Sequence, residues 1–278
     1  MPTSFEKRRT AFGESLRELR ENAGFETGKD FARAVSWNAP KVSKIENGRQ
    51  TASTDDLETW LSAVAAAPDV AEKMRAMLAG VHDAYVTWKE TVRAGHRARQ
   101  EESVDREARA RIIRAVEVGV VPGLLQTPEY ARHTLLAHAE LHGGGQDITE
   151  AVRARMRRQQ VLFEPGRTIE LLMTESALRH PIAPREVMLG QIHRLIAAIG
   201  TPDVRIGILP NDVRLPYPLM HGWWIVDEIV QVETVTAELT VDDPDELAVY
   251  NRLTDTLWGS AAEGDAARDI LAAAAVRA

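Results

Sequence analysis

Residues 28–47 read GKDFARAVSWNAPKVSKIEN, and their pattern decides the fold of the first part of the chain. Two short apolar sets flank Ser36-Trp37-Asn38: Phe31, Ala32 and Val35 before it, Val42 and Ile45 after it. Within each set the spacing of three or four residues is that of one helix face. Two helices packed steeply through a tight turn need a small residue where they approach most closely, and Ala32 supplies it. Asn38 is the expected N-cap of the second helix, and Pro40 falls in its first turn, where a missing N–H costs least. Asn47-Gly48 is the expected stop.

With Val42 and Ile45 turned inward, Ala39, Pro40, Lys41, Ser43, Lys44 and Asn47 are left to the outer face of that second helix. In a helix-turn-helix this is the face that enters a major groove. Lys41, Lys44 and Arg49 are candidates for phosphate contacts, Ser43 and Asn47 for a base edge or a phosphate, and Ala39 for a thymine methyl. Asn38 and Pro40 complete the candidate DNA-binding set. The plainer reading, a small helical bundle with solvated lysines, accounts for any one of these residues but not for the ordered pattern.

Outward from this stretch, Phe12, Leu16 and Leu19 make one helical stripe, with Gly24 as its stop. A further helix opens near Thr54, with Asp55 and Asp56 favourably placed in its first turn and Leu57, Trp60, Leu61 and Val64 apolar. Residues 1–80 are therefore expected to form a helix-turn-helix bundle. Residues 1–50 hold ten Lys/Arg and seven Asp/Glu, a net of +3, so with −7 for the chain the remainder carries −10. That split fits a DNA-facing head on an acidic body.

No proline occurs between Pro68 and Pro122, and the stretch is rich in Ala, Arg and Glu. Residues 81–118 are expected as a helical connection whose charged part, Arg93 to Arg114, is partly exposed. It is either a solvated amphipathic helix or a dimerising coiled segment. Residues 119–278 are expected to be an α+β domain. A helix is capped near Thr127-Pro128, His142-Gly143-Gly144-Gly145 is a flexible loop, and Glu150 to Leu162 is a basic helix. Strand patterns cover Ile169–Met173, Val204–Leu209, Trp223–Val226, Ile229–Val232 and Glu238–Val241. A helix from Pro184 to Ile199 between the first two allows a parallel pair, and the later strands suit an antiparallel meander. Asp243-Pro244 opens a helix running through Trp258, and an alanine-rich helix closes the chain. The fold class is mainly α: a helix-turn-helix bundle followed by an α+β domain.

Several function classes are disfavoured. The chain has no cysteine, which removes disulfides, thiol nucleophiles and thiolate metal sites. His180, His193 and His221 are too scattered for a metal motif, and Ser176 and Ser260 lack the context of a nucleophile elbow. Gly143 to Gly145 neither follows a strand nor precedes a lysine, so it does not cradle a phosphate. Glu175, just past a strand, reads as a surface carboxylate. No catalytic residue, metal or cofactor is expected. No apolar run approaches the roughly 18 residues of a membrane span. The N-terminal MPTSFEKRRT lacks the apolar segment of a secretory signal, and a cytoplasmic location is expected.

For a ligand or partner, the candidates are Tyr217, His221, Trp223 and Trp224 within LPYPLMHGWW, together with Arg157 and Arg158. Strand alternation places one tryptophan in the core and the other toward the opposite face. The basic helix of Arg153, Arg155, Arg157 and Arg158 is a solvated face, a dock for an acidic partner or a source of extra DNA-backbone contacts.

From Phe12 to Leu61, and most of all in VSKIENGRQTAS, the chain resembles the Cro/C1-type, or XRE, helix-turn-helix family. The remainder resembles the antitoxin-like domain behind that head in WhiJ-type actinobacterial regulators. VPGLLQTPEYA, ARMRRQQVL, ESALRHPI, VMLGQIHRL, VRIGILP and VYNRLTDTLW occur in the expected order. The resemblance implies sequence-specific binding to double-stranded DNA, usually as a homodimer. It also implies an antitoxin-like relation with a small protein encoded nearby, and the second domain is expected to bind such a protein or a small-molecule effector. The alternative it carries is an antitoxin-like protein that mainly sequesters its partner and autoregulates its own promoter. Three departures stand out. Gly28 replaces a glutamine that often contacts phosphate, and Ser36 replaces a common turn glycine, so the turn is made without positive φ or with strain. Ala39-Pro40 replaces frequent base-reading polar residues, which shifts the expected readout toward backbone contacts and DNA shape.

Overall fold

The computed structural model describes residues 4–83, 85–87, 96–142 and 145–277. The chain divides into two units, Met1–Val86 and Thr87–Ala278.

The first unit holds α1 (Ser4–Asn22), α2 (Gly28–Ala34), α3 (Ala39–Glu46), α4 (Thr54–Ala63) and α5 (Pro68–Asp83). Their apolar faces meet around Phe12, Leu16, Phe31, Val42, Ile45, Leu57 and Trp60. The Trp60 ring lies 4.3 Å from that of Phe31 and donates its indole N–H to Leu16 O at 3.2 Å. Each short helix is capped by its own sequence. The Thr27 hydroxyl accepts from Asp30 N, Asn38 Oδ1 accepts from Lys41 N at 2.8 Å, and Ser53 and Asp56 form a reciprocal capping box. The turn between α2 and α3 is closed by Trp37 N–H to Ala32 O at 2.7 Å and Ser36 N–H to Arg33 O at 3.3 Å. That pair of hydrogen bonds needs a left-handed residue between helix and exit. Ser36 takes the role with φ 57°, so the turn is made by the strained route of the two expected.

At the other end of α3 the backbones approach closely. A Cβ on Gly13 would stand 2.4 Å from Ile45 O, so only glycine lets α1 lie against the C-terminus of α3.

The second unit is α+β, as expected. Its helices are α6 (His96–Arg109), α7 (Pro128–His142), α8 (Ile148–Arg158), α9 (Ser176–Arg179), α10 (Arg185–Ala198), α11 (Pro244–Trp258) and α12 (Gly264–Arg277). A three-residue strand, β1 (Tyr85–Thr87), precedes α6, and among the described residues seven strands lie wholly in the second unit: β2 (Ile112–Glu117), β3 (Thr168–Thr174), β4 (Val204–Leu209), β5 (Trp223–Val226), β6 (Ile229–Glu233), β7 (Ala237–Val241) and β8 (Ala262–Glu263). These seven are ordered β7-β6-β5-β2-β3-β4-β8. The foreseen β3–β4 pair is parallel and β5 to β7 form the foreseen antiparallel meander.

Residues 96–118, expected within a helical connection, belong instead to this unit. The helix stops at Arg109, and β2 occupies the middle of the sheet, parallel to β3 and antiparallel to β5. Nor is the charged part of the stretch simply exposed: His96, Gln100, Ser103 and Glu107 of α6 are buried. Arg114 hid the strand, since a cation breaks the apolar pattern. Its Nε meets Glu170 on β3 at 2.6 Å and its Nη1 reaches Asn251 on α11 at 2.9 Å. The two-residue β8 was also not foreseen. The basic helix ends at Arg158 and continues as a 3-10 turn, Gln159–Phe163. The glycine loop expected at 142–145 falls partly outside the described residues.

Two apolar layers sandwich the sheet. Ile113, Ala115, Leu171, Met173 and Ile208 share one core with Ile192 and Leu195 of α10 and Leu271 of α12. Val116, Leu172, Leu209, Trp223 and Ile225 share the other with Leu257 and Trp258 of α11. A Cβ on Gly207 would stand 2.4 Å from the Trp258 ring, so the glycine is what lets that indole approach β4 so closely.

Candidate nucleic-acid interface

The inner face of α3 is closed by Val42 and Ile45, both essentially inaccessible. The eight residues singled out for DNA then separate into three groups. Ser43, Lys44 and Arg49 are exposed, and among the described residues Lys44 and Arg49 have no ion-pair partner. Pro40 is exposed too and offers shape only. Asn38 and Asn47 are exposed, but their polar atoms serve the helix ends. Asn38 Oδ1 caps α3, and Asn47 Nδ2 donates to Ser43 O at 2.7 Å while its Oδ1 accepts from Arg17 Nη2 at 2.8 Å.

The remaining two differ from expectation. Ala39 is half-buried and packs on the core, because a tight turn carries the first helical residue under the preceding helix. Lys41 is tied to its own unit: its Nζ lies 2.5 Å from Asp56 Oδ1 and 4.0 Å from the centre of the Trp37 ring. Its charge is shared with a carboxylate 15 residues away, a pairing that helix periodicity does not reveal.

The feature that sequence reading missed is the lock on the C-terminus of α3. Glu46 is 6% exposed and Arg20 is 3% exposed, with Nε to Oε1 at 2.6 Å. Arg20 Nη1 also donates to Phe25 O at 2.5 Å, and Arg17 Nε reaches Glu46 Oε2 at 3.4 Å. Burial alone lowers the Arg20 pKa. The hydrogen bond and charge of Glu46 outweigh it and hold the value above the ordinary one. One signal was present in the sequence: an acidic residue in the last turn opposes the helix dipole, so Glu46 needed a cation.

In the second unit the six ligand candidates do not converge. Tyr217, His221 and Trp223 line an apolar cleft of about 460 Å³ with Met220, Tyr250 and Leu253. Trp224 and Arg158 line a separate charged cavity of about 100 Å³. Arg157 lines neither. It is exposed and sits 3.5 Å from Glu101. Strand alternation sends the two indoles to opposite faces, and the roughly 100° step of a helix separates Arg157 from Arg158. The helix of four arginines is therefore not one solvated face: Arg155 and Arg158 turn into the cavity. Glu175, read as a surface carboxylate, is 7% exposed. It accepts from Arg179 Nε at 2.8 Å and from Asn211 N at 2.9 Å, pinning the loop after β4.

Among the described residues no cluster of three or more His, Asp or Glu is placed to hold a metal ion. No helix among them is long and apolar enough to cross a membrane.

Against known proteins, a family profile described as a domain of unknown function (DUF5753) matches residues 100–273. A second, described as a helix-turn-helix domain, matches residues 11–74. No curated protein matches the chain. A solved structure of TrmBL2, described as an archaeal chromatin protein showing a novel mode of DNA binding, is similar at 11% identity. It covers 86% of this chain and 88% of that one, with a TM-score of 0.35. That likeness is too low to bear on fold or function.

Proposed function

The chain belongs to the DUF5753 family, with a helix-turn-helix domain ahead of the family domain, and from that premise we propose that it is a cytoplasmic, sequence-specific DNA-binding transcriptional regulator. The reading is carried by α3. Its inner face is fully buried, its end is clamped by Arg20 and Glu46, and Ser43, Lys44 and Arg49 stand exposed along and just beyond it. Phosphate contacts from Lys44 and Arg49 set the register, and Ser43 reads a base edge. The XRE-type, actinobacterial resemblance supports action as a homodimer, whose two α3 helices enter successive major grooves roughly 34 Å apart. The second unit acts as the regulatory input, binding a small-molecule effector or a small partner protein. The apolar cleft and the charged cavity support a binding role there rather than a catalytic one.

Selection of binding sites from a pool of random DNA duplexes tests this. The expected product is an inverted repeat with half-sites about one helical turn apart. A pool that yields no enriched sequence at low salt sinks the regulator reading.

A further inference from the structure

The charged cavity of the second unit, about 100 Å³, is walled by α6, α8 and the sheet. Most of its ionic groups are matched. Arg158 pairs with Glu107 at 2.5 and 2.9 Å, and Arg99 pairs with Glu238 and lies 3.7 Å from Glu233. Two are not matched. Arg155 donates from Nε to Gln100 Oε1 at 3.0 Å and from Nη1 to Gln126 Oε1 at 2.8 Å. Both acceptors are neutral amides, and no ion pair among the described residues includes Arg155. Glu117 accepts the Trp224 indole N–H at 2.7 Å, and it too has no cationic partner among the described residues.

A guanidinium and a carboxyl thus face the same small cavity without bonding to each other. An enclosed charge without a counter-ion is costly, and the cavity of about 100 Å³ that both groups line leaves room for a guest to complete the pairing. We propose that this cavity binds a small zwitterion of the α-amino-acid type, its carboxylate received by Arg155 and its ammonium by Glu117. The proposal rests on the effector arm of the function above and names the class of ligand.

The composition of the wall selects both charges together. With Glu117 ionised, Arg99, Arg155 and Arg158 face Glu107, Glu117 and Glu233, so a lone anion or a lone cation meets as much repulsion as attraction. The volume limits the guest to a few heavy atoms. The titration behaviour agrees. Burial pushes Glu117 up to about 8, and burial followed by the charge of Arg158 brings Arg155 down to about 10. A bound ammonium and a bound carboxylate reverse both shifts.

Calorimetric titration of the full chain at pH 8 tests the site, with glycine, L-alanine and L-serine as probes and L-alaninamide and L-lactate as controls. The expected result is saturable binding of at least one amino acid at roughly 1 mM or tighter. Alaninamide lacks the carboxylate and lactate lacks the ammonium, so both are expected to bind at least tenfold more weakly. Glu117→Gln is expected to weaken amino-acid binding at least tenfold. The control series on the unaltered chain stands by itself if that variant misfolds. No saturable binding by any of the three amino acids overturns the proposal, as does lactate or alaninamide binding as tightly as alanine. No DNA is present, so failure here leaves the DNA-binding reading untouched, and a failed DNA selection leaves this one testable.

Discussion

Two arginines drawn inside the molecule meet different fates. In the first unit Arg20 is closed off by Glu46 at 2.6 Å. In the second unit, among the described residues, Arg155 is met only by the amide oxygens of Gln100 and Gln126, while Glu117 in the same cavity holds only the indole N–H of Trp224. A buried ion pair is a weak source of net stability but a strong constraint on geometry, because losing either partner strands the other. The first arrangement therefore orients α3. The second leaves a guanidinium and a carboxyl apart, which suits a place where a guest completes the pairing.

The contrast is broken most directly at Glu46. Glu46→Ala leaves the buried Arg20 guanidinium with only the half-exposed Glu21 carboxylate, 3.1 Å away, as its counter-ion and is expected to cost about 3 kcal/mol, the low end for a broken buried pair, read by urea unfolding. A loss below about 1 kcal/mol means the pair does not lock α3. Glu117→Gln is expected to act in the opposite direction. The folded pKa of Glu117, about 8, stands above its ordinary value of 4.5, so the folded state binds the extra proton between those limits. Its contribution is fully present below pH 4.5 and is lost as pH rises toward 8. The variant should roughly match the parent at pH 4.5 and exceed it at pH 8 by an amount on the order of 3–4 kcal/mol. Unfolding midpoints at the two pH values measure this, and a difference that does not grow with pH contradicts the account.

Smaller effects sharpen the same comparison. Arg155→Met removes an uncompensated charge and two neutral hydrogen bonds together, so the folded state should change by no more than about 1 kcal/mol. A loss as large as that of Glu46→Ala would place a hidden counter-ion beside Arg155. At the turn before α3, Ser36→Gly relieves a left-handed serine and should stabilise the first unit by about 0.5–1 kcal/mol. A neutral or lower thermal midpoint means that the serine conformation carries no strain.

Local patterns were legible in the sequence, and partners far apart along the chain were not. The inward Val42 and Ile45, the Asn38 cap and the parallel β3–β4 pair follow from spacing within a few turns or from one strand–helix–strand unit. The strand β2 was hidden because Arg114 looks misplaced until Glu170 is set beside it. Lys41 looked available for phosphate because Asp56 lies a helix and a loop away. The cavity draws Gln100, Glu117, Arg155 and Trp224 from four separate elements, and no periodicity joins them. Trp223 and Trp224 were correctly read as facing opposite ways, yet grouping them as one site with Tyr217 and Arg158 ignored what that opposition means for geometry.

The central claim, that α3 is the DNA-reading helix, turns on Lys44 and Arg49. With a duplex recovered by selection, the dependence of affinity on salt is measured for the parent chain and for the Lys44→Ala, Arg49→Ala variant. Each phosphate contact contributes about 0.9 to the slope of log affinity against log salt, so the variant's slope should fall by about 2 and its low-salt affinity at least tenfold. An unchanged slope and affinity would contradict the assignment of α3 to the major groove.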